Sequence, residues 1–361
     1  MSIQQNMHPL LAELYHRRLP FCRDAVRATV ADYSAAQPVQ DLFDLCEQDY
    51  LPGSLDRGLT KPLLSYVDRG GKLLRPFVVC CCLEAYGHDP VLHPLPVAMA
   101  ELIHSASLML DDVADDSILR RGMPSAHQSL GVIVASATGT AWINLCSMIV
   151  WRHRAQLSDG IAQQILERIL WAHTATGFGQ TIDVGWAWLR PARPLDRAYL
   201  QGVILRNAYT YRLAFEIGGL AAGAPAKDVV HLGAFGERIG LAYQIIDDLL
   251  NLRPRDANWG KVFAEDITDG KYSLPIILGL ESAAAPQRER LREILRSRTA
   301  QRDLLLEAIA ILDESGAFAK SDLIAQQIVT QSKEHLAALR IPEAHRATLN
   351  AFADFLVRRG M

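Results

Sequence analysis

Two groups of acidic residues are the part of this sequence whose residue types and spacing could do chemistry. Each follows an apolar run, at residues 102–110 and 239–246. Moving a carboxylate out of water is costly unless it is paired or bound to a metal ion. Mg²⁺ is commonly held by one or two carboxylates and by phosphate oxygens, so a shared site for divalent cations and a phosphorylated ligand is the simplest interpretation. The first acidic cluster contains Asp111, Asp112, Asp115 and Asp116, and the second contains Asp247, Asp248 and Asn251.

Helical spacing would bring the carboxylates of the first acidic cluster together in pairs. Side chains four positions apart lie on one face of an α-helix, so Asp111 lies one turn before Asp115. Asp112 and Asp116 repeat this arrangement about 100° around the helix. Like charges at this spacing destabilise a helix, whereas a bound Mg²⁺ reverses the sign of the interaction. A solvated helix end could carry the same four carboxylates, so this cluster alone leaves both interpretations open.

Basic residues near these clusters indicate sites for anions. Arg120 and Arg121 follow the first acidic cluster at a loop's length, and arginine binds phosphate oxygens in a bidentate manner. Simple charge balance is the alternative explanation for this pair. Lys72 and Arg75 follow two glycines, with no acidic residue placed to ligate metal, which suggests a second anion site. His104 lies on the helical face that leads to the first cluster, although a lone histidine there is more commonly a core residue.

The elements that position these residues are predicted to be helices. Strand signals are scarce, and apolar residues recur at helical spacing, as at Ile161, Ile165 and Ile169. No long linker divides the 361 residues, so we expect one large domain at 56–361, preceded by a helical extension at 1–55. The run 128–151 has no charged residue, but its serines, threonines and glycines favour a core helix of a bundle over a membrane span.

Composition and charge exclude some classes of function. The net charge of −3 gives no support to nucleic-acid binding. Six cysteines, three of them consecutive at 80–82, are interpreted as small core residues of a reduced cytosolic protein. The first residues lack the charged and apolar pattern of a secretory signal. We therefore expect a cytoplasmic protein with no stable membrane insertion and no nucleic-acid partner.

The order of the motifs resembles that of the trans-isoprenyl diphosphate synthases over roughly residues 60–335. Within that family the sequence is most similar to geranylgeranyl diphosphate synthases of animal and fungal type, whose second acidic motif also commonly ends in Asn. The motifs that carry the resemblance are, in order, Gly70-Gly71-Lys72-x-x-Arg75-Pro76, Asp111-Asp112-x-x-Asp115, Arg120-Arg121-Gly122, Gln244-x-x-Asp247-Asp248-x-x-Asn251, Gly260-Lys261 and Glu265-Asp266-x-x-x-Gly270-Lys271.

The resemblance implies an all-α fold, a single large helical bundle of the isoprenoid synthase type with a central active-site cavity, and a homodimer. It implies that Mg²⁺ is ligated by Asp111, Asp112, Asp115, Asp247 and Asp248. It implies that isopentenyl diphosphate is bound by Lys72, Arg75, His104 and Arg121. It further implies that the allylic diphosphate and the reacting carbons are contacted by Arg120, Arg206, Asn207, Gln244, Lys261 and Lys271. The residues expected to act in catalysis are Asp111, Asp115, Arg120, Arg206, Gln244, Asp247, Lys261 and Lys271.

The implied reaction is the head-to-tail condensation of isopentenyl diphosphate with a C5–C15 allylic diphosphate. The sequence departs from the family at Arg206 and Asn207, where Lys-Thr is usual, and arginine keeps the cation but changes its geometry. By comparison with the family, the small residues Ala106 and Ser107 would allow a C20 or longer product, and we hypothesise C20 with Trp142 as the pocket floor. A terpene synthase or specialised prenyltransferase of the same fold, and a non-catalytic regulatory subunit, remain the alternatives.

Overall fold

The structure is a computed structural model, and it describes residues 7–33, 56–157, 159–189, 196–253 and 263–358. Its α-helices are α1 (Pro9–Asp32), α2 (Lys61–Asp68), α3 (Leu74–Ala85), α4 (Pro94–Ala114), α5 (Ala126–Leu130), α6 (Val132–Arg152), α7 (Arg154–Leu157), α8 (Asp159–Leu189), α9 (Asp196–Val203), α10 (Tyr209–Ala221), α11 (Ala226–Leu252), α12 (Glu265–Thr268), α13 (Leu274–Ser282), α14 (Ala285–Ser297), α15 (Arg302–Glu314), α16 (Ala317–Ala337) and α17 (Glu343–Arg358). The shorter elements are the π-helical turns Asp56–Thr60 and Ile204–Ala208, the 3-10 turn Pro90–Leu92, and the strands β1 (Leu119–Arg120) and β2 (Met123–Pro124).

The helices pack around one hydrophobic core, which confirms the predicted all-α fold. Helix α11 packs against α10 and α16, while α4 packs against α6 and α3. Helix α8 packs against α10 and the π-helical turn Ile204–Ala208. The two helices that carry the acidic clusters, α4 and α11, therefore lie within the same bundle as the helices between them.

The N-terminal helix α1 is part of this body, because it packs against α3 and α4 and buries Leu11, Tyr15 and Val26. The boundary proposed at residue 55 lies outside the described residues. The division into an extension and a main domain therefore stays a prediction.

Helix α6 has two faces, so the prediction of a core helix over 128–151 is wrong for one of them. Trp142 and Ile149 are fully buried, whereas Ile133 is 84% and Trp151 is 51% exposed. Gly131, with φ +84°, separates α6 from the short α5. Among the described helices, α6 is the one long and apolar enough to cross a membrane by length and composition alone, but its Trp142 face packs inside the protein.

The cysteines behave as the sequence predicted in the described part of the chain, where all five are buried and free of disulfides. Cys46 lies outside the described residues. The closest pair joins α1 to α3, with the Cys22 and Cys80 sulfur atoms 3.7 Å apart.

Candidate active site

A cavity of about 390 Å³ lies between α4, α8, α11 and the π-helical turn Ile204–Ala208. Its walls combine acidic, basic and apolar side chains from elements distant in sequence. The residues predicted for the site that line this cavity are Lys72, Arg75, His104, Asp111, Asp115, Arg120, Arg121, Arg206, Asn207, Gln244, Asp247, Asp248 and Lys271. Lys261, which the sequence also placed in the site, lies outside the described residues.

Cations neutralise the first acidic cluster at the C-terminal end of α4. The Arg206 guanidinium forms ion pairs with Asp111 and Asp183, and its Nη2 lies 3.5 Å from Asp115 Oδ2. Lys271 Nζ lies 2.7 Å from the same Asp115 oxygen. Burial favours the neutral amine of Lys271, but Asp115 and Asp183 outweigh this effect and raise its pKa. Burial lowers the pKa of Arg206 to about 10, so both cations are charged at neutral pH.

Asp112 departs from the predicted set of metal ligands. Its side chain is fully buried and does not line the described cavity. One carboxylate oxygen accepts a 2.5 Å hydrogen bond from the Tyr66 hydroxyl, and the other is paired with Arg120, whose Nε lies 2.7 Å away. Tyr66 in turn accepts a hydrogen bond from the Ala126 amide. Asp112 therefore orients Arg120 toward the cavity in this structure, and its role as a metal ligand stays a prediction.

Arg121 occupies a strained backbone position in the hairpin that follows the first cluster. Leu119 pairs with Pro124 and Arg120 with Met123, which leaves Arg121 and Gly122 as a two-residue turn. Both have positive φ, +56° and +76°, the pattern of a type I′ turn. A side chain in this region costs roughly 1–2 kcal/mol, and contacts from Arg121 to the backbone oxygens of Tyr66 and Gly70 offset the cost.

The second group of predicted cations lies on the α3 side of the cavity. Arg75 donates to the Thr210 hydroxyl at 2.8 Å and lies 4.3 Å from the Tyr211 ring centre. Lys72 Nζ lies 5.9 Å from the Tyr243 ring centre. Burial and the charges of Arg75, Arg121 and Arg120 lower the pKa of His104 well below its usual value. Without a bound anion, burial and these cations thus favour the neutral form of His104.

Neutral hydrogen bonds orient the second acidic cluster near the C-terminus of α11. Gln244 Nε2 donates to Asp248 Oδ1 at 2.8 Å. The side chain of Asn251 is buried, and its Oδ1 accepts the backbone N–H of Asp266 at 3.1 Å. This bond ties α11 to the segment that leads to Lys271. The side-chain amide of Asn251 thus accepts a hydrogen bond that holds two segments of the structure together.

The backbone around Arg206 is fixed by a close approach of two helical segments. Residues Ile204–Ala208 form a π-helical turn, a feature common at functional sites. A Cβ atom added at Gly179 of α8 would lie 2.5 Å from the Arg206 nitrogen, so this glycine is required for the contact. Gly179 therefore sets how deeply the Arg206 side chain enters the cavity.

Sequence reasoning assigned no role to two acidic residues of this site. Asp183 lines the cavity and pairs with Arg206, and burial raises its pKa to about 6. Its sequence signal is the segment Gly179-Gln180-x-x-Asp183, which resembles one that the trans-isoprenyl diphosphate synthases usually carry. Glu101 is buried in α4, with its Oε1 3.6 Å from Arg121 Nη2, and its only sequence signal was a charge inside an apolar run.

The apolar part of the cavity differs from the expected product pocket. Trp142, proposed as the floor, is buried outside the described lining, and its indole N–H donates to the Leu59 carbonyl at 2.7 Å. Ala106 packs instead at the contact between α4 and α6, close to Gly139. The apolar side chains on the described wall include Leu108 and Ile182.

The donor set of the cavity fits a hard divalent cation. Within the described ranges, no three His, Cys, Asp or Glu side chains converge closely enough to hold a metal ion by themselves. Mg²⁺ needs only one or two protein carboxylates when waters and phosphate oxygens complete its shell. Such oxygens are supplied to one cavity by Asp111 of α4, by Asp115 directly after α4, and by Asp247 and Asp248 of α11.

A helical bundle with two acidic clusters and two groups of cations around one cavity defines the class of isoprenyl diphosphate synthases. The polyprenyl synthetase family model matches residues 56–312, and the chain belongs to this family. It is a prenyltransferase with trans-prenyl diphosphate synthase activity, resembles geranylgeranyl diphosphate synthases, and belongs to a family that uses divalent metal ions.

Individual relatives agree with this assignment. A short chain isoprenyl diphosphate synthase of Methanothermobacter thermautotrophicus is 30% identical over 81% of this chain and 88% of its own length. A geranylgeranyl pyrophosphate synthase of Gibberella zeae is 34% identical over 60% of this chain and 55% of its own length. The structure of a geranylgeranyl pyrophosphate synthase from Corynebacterium glutamicum, complexed with isoprenyl diphosphate and magnesium, has a TM-score of 0.80 at 21% identity and covers 94% of this chain and 98% of that chain, which shows the shared fold.

Proposed function

We propose that this protein catalyses the Mg²⁺-dependent condensation of isopentenyl diphosphate with an allylic diphosphate and releases geranylgeranyl diphosphate. One observation carries the proposal: two groups of cations line the same cavity, and only one of them is mixed with the acidic clusters. A diphosphate that binds metal and a diphosphate that binds none would thus have separate places. The relatives named above make the same or related products.

The first group of side chains would act on the allylic substrate. When bound, Mg²⁺ would stabilise the negative charge of the departing diphosphate. Arg206, Lys271 and Arg120 would donate hydrogen bonds to the same leaving group as the allylic C–O bond breaks. Gln244 donates a hydrogen bond to Asp248 at this end of the cavity and would lie near the reacting carbons.

The second group would hold isopentenyl diphosphate, whose double bond attacks the allylic cation and forms the new C–C bond. Lys72, Arg75 and Arg121 would bind its diphosphate as cations, and His104 would donate a hydrogen bond to it. The proton lost after bond formation passes to the released diphosphate, so no strong protein base is required. Leu108 and Ile182 would keep water from the cation.

Product analysis tests this proposal directly. The full chain is incubated with Mg²⁺, isopentenyl diphosphate and, separately, C5, C10 and C15 allylic diphosphates, and the products are sized by mass spectrometry. A C20 product from each starter is expected. A shorter or longer product would correct the chain length alone, and the absence of any condensation would overturn the function. A hydrocarbon formed from the allylic substrate alone would favour a terpene synthase.

We also propose that the enzyme is a homodimer. Helices α6 and α8 pack against each other, and both leave large apolar side chains exposed. Trp171 of α8 is 66% exposed and Phe178 is 64% exposed, and Ile133 of α6 is the most exposed of the set. A second copy of the chain would cover such a face.

The dimer is tested by multi-angle light scattering of wild type and of Trp171→Glu. We expect a dimeric wild type and a weakened dimer in the variant. Leu323 of α16 is also a large apolar side chain that is exposed, at 54%. Leu323→Glu is therefore the matched control and should leave the measured molar mass unchanged. A monomeric wild type would contradict the proposal.

The buried, free cysteines support a cytoplasmic location, which cell fractionation tests.

A further inference from the structure

Arg206 joins three carboxylates of the cavity at once. Its two terminal nitrogens pair with Asp183 and Asp111, and the second also lies 3.5 Å from Asp115. The Arg206 side chain is only 13% exposed, so water screens these contacts weakly. The two α4 carboxylates that face the cavity are therefore already compensated by the protein's own cations.

The shape of arginine makes this arrangement possible. The planar guanidinium presents several donors in a fixed fork and can contact carboxylates on two helices simultaneously. A lysine ammonium is a compact charge on a flexible stem and would satisfy fewer of these oxygens at one time. The Gly179 contact fixes the backbone of Arg206, so its side chain enters the cavity from one defined position.

We propose that Arg206 is a resident counter-ion that a divalent cation must displace from Asp111 and Asp115, which makes metal binding depend on an arriving diphosphate. The inference rests on the proposed function, because the allylic diphosphate would offer the displaced guanidinium new oxygens. If no diphosphate is bound, an Arg206 side chain displaced from Asp111 and Asp115 keeps only Asp183 of these three carboxylates as an ion-pair partner. Metal and diphosphate then bind with positive coupling, which is reciprocal by thermodynamic necessity.

Metal binding can be measured without any turnover. Mn²⁺ replaces Mg²⁺ as the probe, and electron paramagnetic resonance of free Mn²⁺ gives the bound fraction for the full chain. We expect Arg206→Lys to bind Mn²⁺ alone about fivefold or more tightly than wild type, since the carboxylates are released from the guanidinium. Arg206→Gln, which removes the charge, should bind at least as tightly as Arg206→Lys and serves if the lysine variant is unstable.

Arg212→Lys is the matched control. Arg212 of α10 is also ion-paired with two carboxylates, Glu216 of the same helix and Glu237 of α11. It does not line the described part of the active-site cavity, and its variant should bind Mn²⁺ as wild type does. Unchanged or weaker Mn²⁺ binding by both Arg206 variants would overturn the inference.

A second titration tests the coupling itself. With a saturating allylic thiolodiphosphate, which resists ionisation, the wild-type Mn²⁺ affinity should rise more than that of Arg206→Lys. An equal rise in both proteins would contradict the coupling. Failure of the proposed function is distinguished by the product assay, because a wild type that makes no condensation product can still show the predicted order of Mn²⁺ affinities.

Discussion

The two acidic clusters face the same cavity but are held in different ways. In the first, Asp111 and Asp115 are paired with the cations Arg206 and Lys271. In the second, the contacts described above are hydrogen bonds with neutral amides, from Gln244 to Asp248 and from the Asp266 backbone to Asn251. An ion pair cancels the charge of a carboxylate, whereas an amide donor orients it without cancelling its charge. The described contacts of the first cluster thus compensate charge, and those of Asp248 and Asn251 orient side chains, while the charge of Asp248 also acts on the Arg206 guanidinium.

The largest expected effect comes from Asp111 of the first cluster, whose carboxylate is paired with Arg206. Asp111→Asn keeps the shape of the side chain but removes the charge that would hold a cation, so we expect kcat to fall by about 10²–10³-fold. Steady-state assays of condensation measure this. Asp116→Asn is the matched control, because the Asp116 side chain is 91% exposed and Asn tolerates its positive φ. Equal losses of kcat in both variants would contradict the difference expected between Asp111, which lines the cavity, and the exposed Asp116.

The next effect concerns the backbone that presents Arg206 to the first cluster. Gly179→Ala would place a methyl group 2.5 Å from the Arg206 nitrogen, and we expect it to lower the free energy of unfolding by up to about 3 kcal/mol and to reduce activity. Chemical denaturation and activity assays check both results. Gly177→Ala on the same helix has open space around it and should be neutral or slightly stabilising.

A smaller effect is expected at the second cluster, where the hydrogen bond matters more than the charge. Asn251→Ala leaves the Asp266 amide without its acceptor and should cost about 2 kcal/mol of unfolding free energy. Asn251→Asp keeps an acceptor oxygen, and its cost is electrostatic, so added Mg²⁺ should reduce it. Urea unfolding with and without Mg²⁺ measures both variants. A loss in Asn251→Asp that Mg²⁺ leaves unchanged would contradict this explanation.

The smallest effect concerns the titration of His173 on α8, which lies outside both acidic clusters. Burial lowers the pKa of His173 to about 4, and its Nε2 has no partner among the described residues. The unfolded chain takes up this proton near pH 6.5, so stability present above that pH is lost as the pH falls toward 4. Between pH 7.5 and 5.5, wild type should lose about 1 kcal/mol more unfolding free energy than His173→Leu. Equal losses would show that His173 does not contribute.

The sequence predicted the helical fold and the two acidic clusters because both depend on local spacing. Each cluster lies at the end of an apolar helix, as expected for α4 and α11. The two-residue strands around Arg121 escaped prediction because they are too short to show an alternating pattern. The exposed face of α6 was also not predicted, because an uncharged apolar run has the same sequence pattern in a buried helix as in a helix with one apolar face on the surface.

The partners of the charged residues could not be predicted, because they depend on how distant helices approach each other. Asp112 has the same spacing as a metal ligand but is turned toward Tyr66 and Arg120 by packing. The departure at Arg206 was visible in the sequence, but its ion pair with Asp183 arises from the contact between α8 and the π-helical turn.

The ion pairs of the first cluster also have a consequence for the order in which the protein folds. Arg206 and Asp111 are 95 positions apart, and Lys271 and Asp115 are 156 apart. Contacts between residues so far apart in the sequence form only after the intervening segments have docked, because closing a long loop costs entropy before the contact contributes any stability. A chain still emerging from the ribosome can therefore use only the nearby Arg120 to compensate the carboxylates at the end of α4, and the pairs with Arg206 and Lys271 are added when most of the polypeptide has been made.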